Sequence, residues 1–197
     1  AAGLWGGFTD WRGFVPAQPF VGLRNYGELA RDPIFLRALQ NSALFTLLYV
    51  PLAISLALVV ALAVEASGRA RPLFRMVYFM PFITSVTATA LIWAWLYQPS
   101  FGLFNQLLAL VGLPQQGFLR SPQQALPSIV VYQLWKELGF NMVLFIAGLA
   151  AIDRSYYEAA RVDGANRWQL FWRITLPLLQ PTLALLLVTN LVWGLQV

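Results

Sequence analysis

Long apolar stretches, separated by shorter polar ones, dominate the pattern of this 197-residue chain. A helix that crosses a membrane needs about 20 consecutive, mostly apolar residues. Four stretches reach or approach that length, at about residues 38–64, 76–97, 128–152 and 178–197. The pattern therefore predicts an all-α, polytopic transmembrane helical bundle with about four spanning segments.

Polar residues inside these stretches are candidates for function, because charged groups within a membrane are costly. The third stretch contains Lys136 and Glu137. Two interpretations stay open at this point. The two side chains line a functional path, or they pair with each other or reach outward to the membrane surface.

Composition supports a membrane protein and narrows its chemistry. Apolar residues make up 59% of the chain and charged ones 11%, whereas soluble domains carry about 25% charged residues. The absence of cysteine and histidine excludes disulfides, the usual zinc sites and histidine acid–base chemistry. The chain begins at Ala1 and ends at Val197 within an apolar run. We therefore expect a fragment that lacks one or more spans before it and the remainder of one after it.

The distribution of arginine predicts the orientation in the membrane. Two connections are rich in arginine, whereas the connection of residues 98–127 contains only Arg120. Loops rich in Lys and Arg remain on the cytoplasmic side, so residues 98–127 and the N-terminal segment of residues 1–37 are predicted to lie outside. The cytoplasmic groups are Arg69, Arg71 and Arg75, and then Arg154, Arg161, Arg167 and Arg173.

The N-terminal segment ends with a helix-start pattern, "RDPIFLRAL". Asp32 is suited to the N-cap and Pro33 to the first helical position. We expect a short amphipathic helix here that leads into the first span. The predicted organisation is an external segment of residues 1–37 followed by a membrane domain of residues 38–197.

A polar loop of residues 153–177 separates the third and fourth spans. Ser155 and Glu158 have the spacing of a capping box, which predicts a helix beginning near Tyr156. Gly164 is suited to end that helix, because glycine adopts the left-handed conformation at little cost.

A second short helix is predicted immediately afterwards. Asn166 and Gln169 repeat the capping pattern, and Trp168, Phe171 and Trp172 form an apolar stripe at i, i+3, i+4. Pro177 ends this part. The residues alone leave two interpretations open. The loop is an amphipathic hairpin lying in the membrane surface, or it is a docking surface for a soluble partner.

The same loop carries a longer motif, in which E-A-A is followed by three residues, G, nine residues and I-x-L-P. It is met by Glu158, Ala159, Ala160, Gly164, Ile174, Leu176 and Pro177. At these residues the sequence resembles the inner-membrane permease subunits of ATP-binding-cassette (ABC) importers. Segments such as "RMVYFMPFITS" and "LWKELGFNMVLFIAGL" resemble the carbohydrate-uptake branch, which includes maltose and glycerol-phosphate transporters. One departure is Asp153, where that family usually has proline.

The resemblance implies a type I importer permease in which the loop is a cytoplasmic coupling helix that contacts a separate ATPase. The residues of that contact would be Glu158, Ala159, Ala160, Asp163, Gly164 and Ala165. The ATPase partner would use ATP and Mg²⁺, and this chain would bind no cofactor or metal and act as a transport subunit, not an enzyme. The only lysine, Lys136, follows Trp135, so the chain contains no P-loop.

The resemblance also implies partners and a location. The chain would pair with a second permease above an ATPase dimer, receive a small carbohydrate from an extracytoplasmic solute-binding protein, and lie in contact with lipid as a multi-pass protein of a prokaryotic cytoplasmic membrane. Nucleic acid is not expected as a partner.

Some candidate substrate-path residues resemble positions that line the sugar path in the maltose-type permease. The others are polar or aromatic residues that could complete the wall of that path. Indole rings can stack on the apolar face of a sugar, and an amide both donates and accepts hydrogen bonds. The alternative for each is ordinary helix packing. The set is Phe82, Ser85, Val86, Trp135, Leu138, Gly139, Met142, Thr189, Trp193 and Gln196.

Other functions stay open from the sequence. The substrate could be glycerol phosphate or another polyol, and a non-coupled channel or a membrane scaffold subunit is a different class. A membrane-embedded enzyme is disfavoured, because Lys136 and Glu137 are adjacent and adjacent residues on a helix do not face each other.

Overall fold

The computed structural model describes residues 5–10 and 19–196. The chain divides into two compact units, Ala1–Leu44 and Phe45–Val197. In the first unit an antiparallel bridge joins Thr9 and Phe20, and a short helix, α1, covers Arg24–Leu29. The predicted organisation into an external segment and a membrane domain stays a prediction.

Helix α2 is the longest element and covers Pro33–Ala66, 34 residues. The Asp32 carboxylate accepts a hydrogen bond from the Ile34 amide at 2.8 Å, so the predicted N-cap and the first-turn proline are confirmed. The expected helix that leads into the first span begins at Pro33 as predicted, but it is continuous with the span, since its residues form the first turns of α2. No proline or glycine interrupts the chain until Pro51, which lies inside the helix.

The second apolar stretch forms two helices rather than one. Helix α3 covers Arg71–Ile83, helix α4 covers Val86–Leu96, and the two are bent by 95°. The break follows Pro81, which cannot donate a backbone hydrogen bond, and Thr84 adopts an extended conformation with ψ of 154°. A 3₁₀-helix, Gly68–Ala70, precedes α3.

The rest of the second unit consists of helices and the loops that connect them. Helix α6 is its longest element, with 26 residues. The elements are α5 (Leu103–Leu110), a 3₁₀-helix (Phe118–Arg120), α6 (Ala125–Ala150), α7 (Arg154–Val162), α8 (Arg167–Leu170), a π-helical turn (Phe171–Thr175), α9 (Leu176–Leu178) and α10 (Gln180–Gly194).

Two helices in the described part of the chain, α2 and α6, are long and apolar enough to cross a membrane. At two other places, two helices separated by a short break and a bend are long and apolar enough to cross a membrane when they are taken together. These are Gly68–Ile83 with α4, and Arg167–Leu178 with α10, the second bent by 62°. The fold is therefore an all-α membrane bundle with two to four spans, and the expected four include two broken ones.

The core lies where α2, α6 and α10 pack together. Ala57 and Ala61 of α2 are fully buried against Met142 and Phe145 of α6 and Leu186 of α10. Small residues at such contacts let helices approach closely in a membrane, where packing replaces the hydrophobic effect. The opposite side of α2 exposes leucine and valine side chains, as expected of a surface that faces lipid.

Candidate functional site

The loop of residues 153–177 begins with a cap supplied by Asp153. Its Oδ1 accepts a hydrogen bond from the Ser155 amide at 2.8 Å, and α7 begins at Arg154. The predicted capping box of Ser155 and Glu158 is therefore wrong, because the extended backbone of Asp153 places the cap two residues earlier. That hydrogen bond also lowers the pKa of the Asp153 carboxyl below its ordinary value.

Gly164 ends α7 as predicted. Its φ is 80°, and a Cβ added there would meet open space, so backbone conformation explains the glycine better than crowding does. The Ala165 amide donates to the Ala160 carbonyl at 2.9 Å, and the Gly164 amide donates to that of Arg161 at 3.0 Å. These two bonds form a Schellman motif, which satisfies carbonyls that the helix end would leave free.

The predicted second cap is confirmed at α8. The Gln169 amide donates to Asn166 Oδ1 at 2.9 Å, and the Asn166 amide donates to Gln169 Oε1 at 2.9 Å. The rings of Trp168 in α8 and Trp172 in the π-helical turn meet edge to face at 5.5 Å. The Trp168 side chain is 70% exposed, so α8 presents an aromatic surface outward.

One contact ties the two short helices into a hairpin. The hydroxyls of Tyr157 and Thr175 are 3.0 Å apart, and Thr175 Oγ1 also donates to the Leu170 carbonyl at 3.3 Å. Thr175 and Leu170 are buried. The helical hairpin, defined here as residues 154–175, is therefore held at its caps and at its base.

The predicted coupling residues lie together on this hairpin. Four of the six are exposed and two, Ala160 and Ala165, are half-buried. Val162, in the last turn of α7, is 87% exposed. The hairpin thus presents small, apolar and acidic groups on a rigid turn. The exposed four are Glu158, Ala159, Asp163 and Gly164.

Lys136 lies at the break between α3 and α4. Its ammonium donates to the carbonyls of Pro81 at 2.6 Å, Phe82 at 3.0 Å and Thr84 at 2.7 Å, and the residue is 3% exposed. It is buried on these carbonyls rather than paired with Glu137 or directed outward, so the second of the two interpretations left open by the sequence is wrong for Lys136. The end of α3 leaves carbonyls without amide donors, and a cation is favoured there by the helix dipole.

The face of α6 that carries Lys136 contacts both α3 and α4, the two helices on either side of the bend. The contacts are made by Tyr132, Lys136 and Gly139, which are spaced i, i+4 and i+7. A Cβ at Gly139 would lie 2.6 Å from Phe79 Cα, so only glycine permits this approach to α3. Tyr132 OH lies 2.9 Å from Thr89 Oγ1 on α4. Together with Lys136, these contacts fix the bend.

A buried amide pair joins three helices, which the sequence reasoning missed. Asn141 Nδ2 donates to Asn190 Oδ1 at 3.3 Å, and Asn190 Nδ2 donates to Asn141 Oδ1 at 3.2 Å. Tyr49 OH donates to Asn190 Oδ1 at 3.0 Å. The single asparagine in each of two apolar stretches was the available signal, because such residues hydrogen-bond across helices in membranes.

Three of the predicted substrate-path residues cluster beside this amide pair. The Phe82 ring stacks on Phe140 at 4.8 Å, and Phe140 stacks on Trp193 at 6.5 Å. Thr189 and Trp193 border a small recess. Its other lining residues are Glu137, Phe140, Asn141 and Asn190.

The structure separates the other predicted path residues from this recess. Met142 is 0% exposed and Leu138 packs against the same core, while Gly139 is pressed against α3. Packing accounts for all three. The Trp135 ring lies 5.3 Å from that of Trp93. Ser85, Val86 and Gln196 are exposed.

No group of three or more histidine, cysteine, aspartate or glutamate residues comes together within residues 5–10 and 19–196. The recess beside the amide pair is lined by aromatic, amide and hydroxyl groups and by Glu137.

Residues 35–196 match the family described as binding-protein-dependent transport system inner membrane component. A probable ABC transporter permease of Pyrococcus horikoshii is 40% identical over 92% of this chain and 63% of its own length. A trehalose/maltose transport system permease of Thermococcus litoralis is 35% identical over 93% and 62%. An sn-glycerol-3-phosphate transport system permease of Brucella abortus is 34% identical over 89% and 59%.

Two solved structures share the fold. A bacterial ABC transporter involved in the import of the acidic polysaccharide alginate has a chain that matches with a TM-score of 0.84 and 31% identity, over 100% of this chain and 66% of that one. A bacterial alginate ABC transporter in complex with an alginate pentasaccharide-bound periplasmic protein matches with a TM-score of 0.78 and 31% identity, over 86% of this chain and 59% of that one.

The chain therefore spans less than two thirds of the length of each of these relatives. The family match covers the helical hairpin and the candidate spans of the described residues, apart from the first two residues of α2. The chain belongs to the family of binding-protein-dependent transport system inner membrane components.

Proposed function

We propose that the chain is a permease subunit of a binding-protein-dependent ABC importer, which carries a sugar across the cytoplasmic membrane of a prokaryote. A separate ATPase subunit would drive the transport. The observation that carries the proposal is the complete E-A-A motif on an exposed hairpin whose helix ends are capped by its own residues.

The geometry of the hairpin suits it to transmit force. Its caps are satisfied locally, so docking would not need to order it and would lose little conformational entropy. Glu158 and Asp163 make no ion pair or hydrogen bond through their side chains within the described part of the chain, which leaves both carboxylates available to a partner. The bond between Tyr157 and Thr175 joins α7 to the last residue of the hairpin, from which the chain continues into α9 and α10.

ATP-driven closure of the ATPase would then bias a two-state equilibrium of the permease between inward-open and outward-open arrangements. ATP and Mg²⁺ would be held by the ATPase and no cofactor by this chain. The partners would be a second permease, an ATPase dimer and an extracytoplasmic solute-binding protein. The periplasmic protein bound to the alginate transporter supports the last of these.

The groups that line the recess, rather than its volume of about 10 Å³, favour a neutral sugar over glycerol phosphate. Stacked rings of Phe140 and Trp193 match the apolar face of a sugar. Lys136 is committed to three carbonyls, and the residues that line the recess include no cation for a phosphate. The glycerol-phosphate permeases among the relatives keep a polyol phosphate as the alternative substrate.

The proposal is tested with the full transporter reconstituted in liposomes with its binding protein. Gly164→Pro and Glu158→Lys should leave membrane insertion and ATP hydrolysis in place and abolish ATP-driven sugar uptake. Gly164→Asn is the matched control, because asparagine tolerates the left-handed conformation, and it should retain most uptake. Normal uptake in Gly164→Pro would contradict the coupling assignment.

The same liposomes separate the alternatives. Uptake that persists without the ATPase would indicate a channel, and assembly without any uptake would indicate a scaffold subunit. A panel of neutral sugars and glycerol phosphate, each with the solute-binding protein, would then identify the class of solute that stimulates ATP hydrolysis.

A further inference from the structure

A cavity of about 500 Å³ lies beside the ends of α2 and α6 and the inner side of α7. Its polar lining includes Glu65, Arg71, Arg154 and Arg161, and its apolar walls include Leu62 and Leu149. We propose that this arginine cavity binds the phosphate of an anionic phospholipid headgroup. The volume lies within the range of about 300–1,000 Å³ that small-molecule sites occupy.

The charges of the cavity favour an anion. The Glu65 carboxylate lies 3.1 Å from Arg71 and 2.7 Å from Arg75, so its negative charge is shared by two arginines. Arg154 and Arg161 have no ion pair or hydrogen bond through their guanidinium groups within the described residues. The lining therefore has three arginines against one carboxylate that is already engaged, and phosphate is the anion that a guanidinium fork fits best.

The position of the cavity favours a lipid over a free anion. Helices α2 and α6, the two that are long enough to cross a membrane, end at Ala66 and Ala150. Leu62 and Leu149 lie close to these ends. The three arginines of the lining follow the ends in sequence, so the cavity joins apolar helix ends to basic groups, which is the arrangement that a phospholipid headgroup requires. Basic pockets between membrane helices on the cytoplasmic side bind such headgroups.

Helix α7 distinguishes this site from the proposed contact with the ATPase. Arg154, Tyr157 and Arg161 are spaced i, i+3, i+7 and line the cavity, whereas Glu158 and Ala159 do not. One face of α7 is therefore basic and turned toward the bundle. A bound phosphate would neutralise that face and brace α7 from behind while its exposed residues remain accessible.

The test is native mass spectrometry of the full transporter complex, equilibrated with phosphatidylglycerol or with phosphatidylcholine. The wild type should retain phosphatidylglycerol in preference. Replacing Arg154 and Arg161 by glutamine should lower that retention by roughly fivefold for each arginine. The matched control is Arg167→Gln with Arg173→Gln, arginines of the same segment that do not line the cavity, and it should retain the lipid as the wild type does.

Three outcomes would overturn the proposal: unchanged lipid retention in Arg154→Gln/Arg161→Gln, equal loss in the control, or displacement of the lipid by inorganic phosphate at equal concentration, which would indicate a free-phosphate site. Loss of the ATPase subunit without loss of lipid would also overturn it and would assign the arginines to a protein contact. Where Arg154→Gln/Arg161→Gln does not assemble, phosphatidylglycerol should raise the melting temperatures of the wild type and of the control equally, and more than phosphatidylcholine does; equal shifts with the two lipids would overturn the proposal. Lipid retention does not depend on uptake, so this proposal and the transport proposal can fail separately.

Discussion

The helical hairpin and the inward face of α6 are both polar parts of an apolar protein, but they satisfy their polar groups differently. In the hairpin, the capping side chains of Asp153, Asn166 and Gln169 bond to backbone groups two or three residues away. On α6, Lys136 bonds to carbonyls 52 to 55 residues away and Asn141 to an amide 49 residues away. The hairpin is a self-contained unit, whereas the α6 face holds separate helices together.

This difference has consequences for energy and for motion. Removing one buried hydrogen-bonding partner leaves the other unsatisfied, which costs more than the bond contributed. Changes on the α6 face should therefore lower the stability of the whole bundle. Changes in the hairpin should be local, because solvent can satisfy an exposed group. A segment that is stable by itself can also move as one body against the bundle.

The largest effect is expected for Lys136→Met. The substitution keeps an unbranched side chain but removes all three donors from the carbonyls at the end of α3. We expect the free energy of unfolding to fall by about 2–4 kcal/mol, measured by thermal or denaturant unfolding of the purified complex. Lys136→Arg keeps the charge and should lose less. An unfolding curve for Lys136→Met that coincides with that of the wild type would contradict the claim that the α6 face holds separate helices together.

A smaller loss is expected for Gly139→Ala. The added methyl group would overlap the backbone of Tyr78 and Phe79, and overpacking of this kind costs about 1–3 kcal/mol. Gly27→Ala is the matched control, since nothing lies within 4 Å of a Cβ there. In a helix that change should be neutral or slightly stabilising. Equal unfolding temperatures for the two variants would show that α3 and α6 do not pack as described.

The amide pair should contribute a coupling energy of intermediate size. In a double-mutant cycle of Asn141→Ala and Asn190→Ala, the two changes should be non-additive by about 1 kcal/mol, as found for hydrogen bonds between membrane helices. Unfolding of the two single variants and the double variant gives this coupling. Full additivity would mean that the reciprocal bonds do not form in the membrane.

The smallest effect is a local dependence on pH at the start of α7. The bond from Ser155 lowers the pKa of Asp153, so its stabilising contribution is present above the ordinary value of about 3.9 and is lost as pH falls through the lowered pKa. The measurement is the hydrogen-exchange rate of the Ser155 amide, in the wild type and in the Asp153→Asn variant at the same pH. The ratio of the wild-type rate to the variant rate should rise as the pH becomes acidic. A constant ratio between the two would exclude this role of the carboxylate.

The local features of the hairpin could be predicted from sequence because their signals are short. The left-handed glycine at Gly164 and the reciprocal cap at Asn166 depend on residues within four positions. The predicted first cap, Ser155, lies two residues after the observed cap, Asp153. Ser155 and Glu158 have the spacing of a capping box, but the residue with the extended backbone is Asp153. Spacing alone does not reveal which of two candidate caps has the extended backbone.

The contacts of the α6 face could not be predicted in the same way. Hydropathy marked residues 76–97 as one span, but the 95° bend is fixed by a lysine more than fifty residues later. Similarly, Met142 and Gly139 resemble substrate-path positions, yet one fills the core and the other permits a close helix crossing. Which side of α6 meets α3 depends on the whole bundle and has no short sequence signal.

The central claim is that the hairpin contacts a protein rather than lipid. Since residues 1–197 contain no cysteine, a photo-activated cross-linker can be attached at Ala159→Cys in the full transporter, provided that any cysteine elsewhere has been replaced. Leu110→Cys, on an 82% exposed residue of α5, is the control. We predict that Ala159→Cys cross-links to the ATPase subunit and that Leu110→Cys does not. Cross-links from Ala159→Cys to phospholipid alone would contradict the account and would assign the hairpin to the membrane surface.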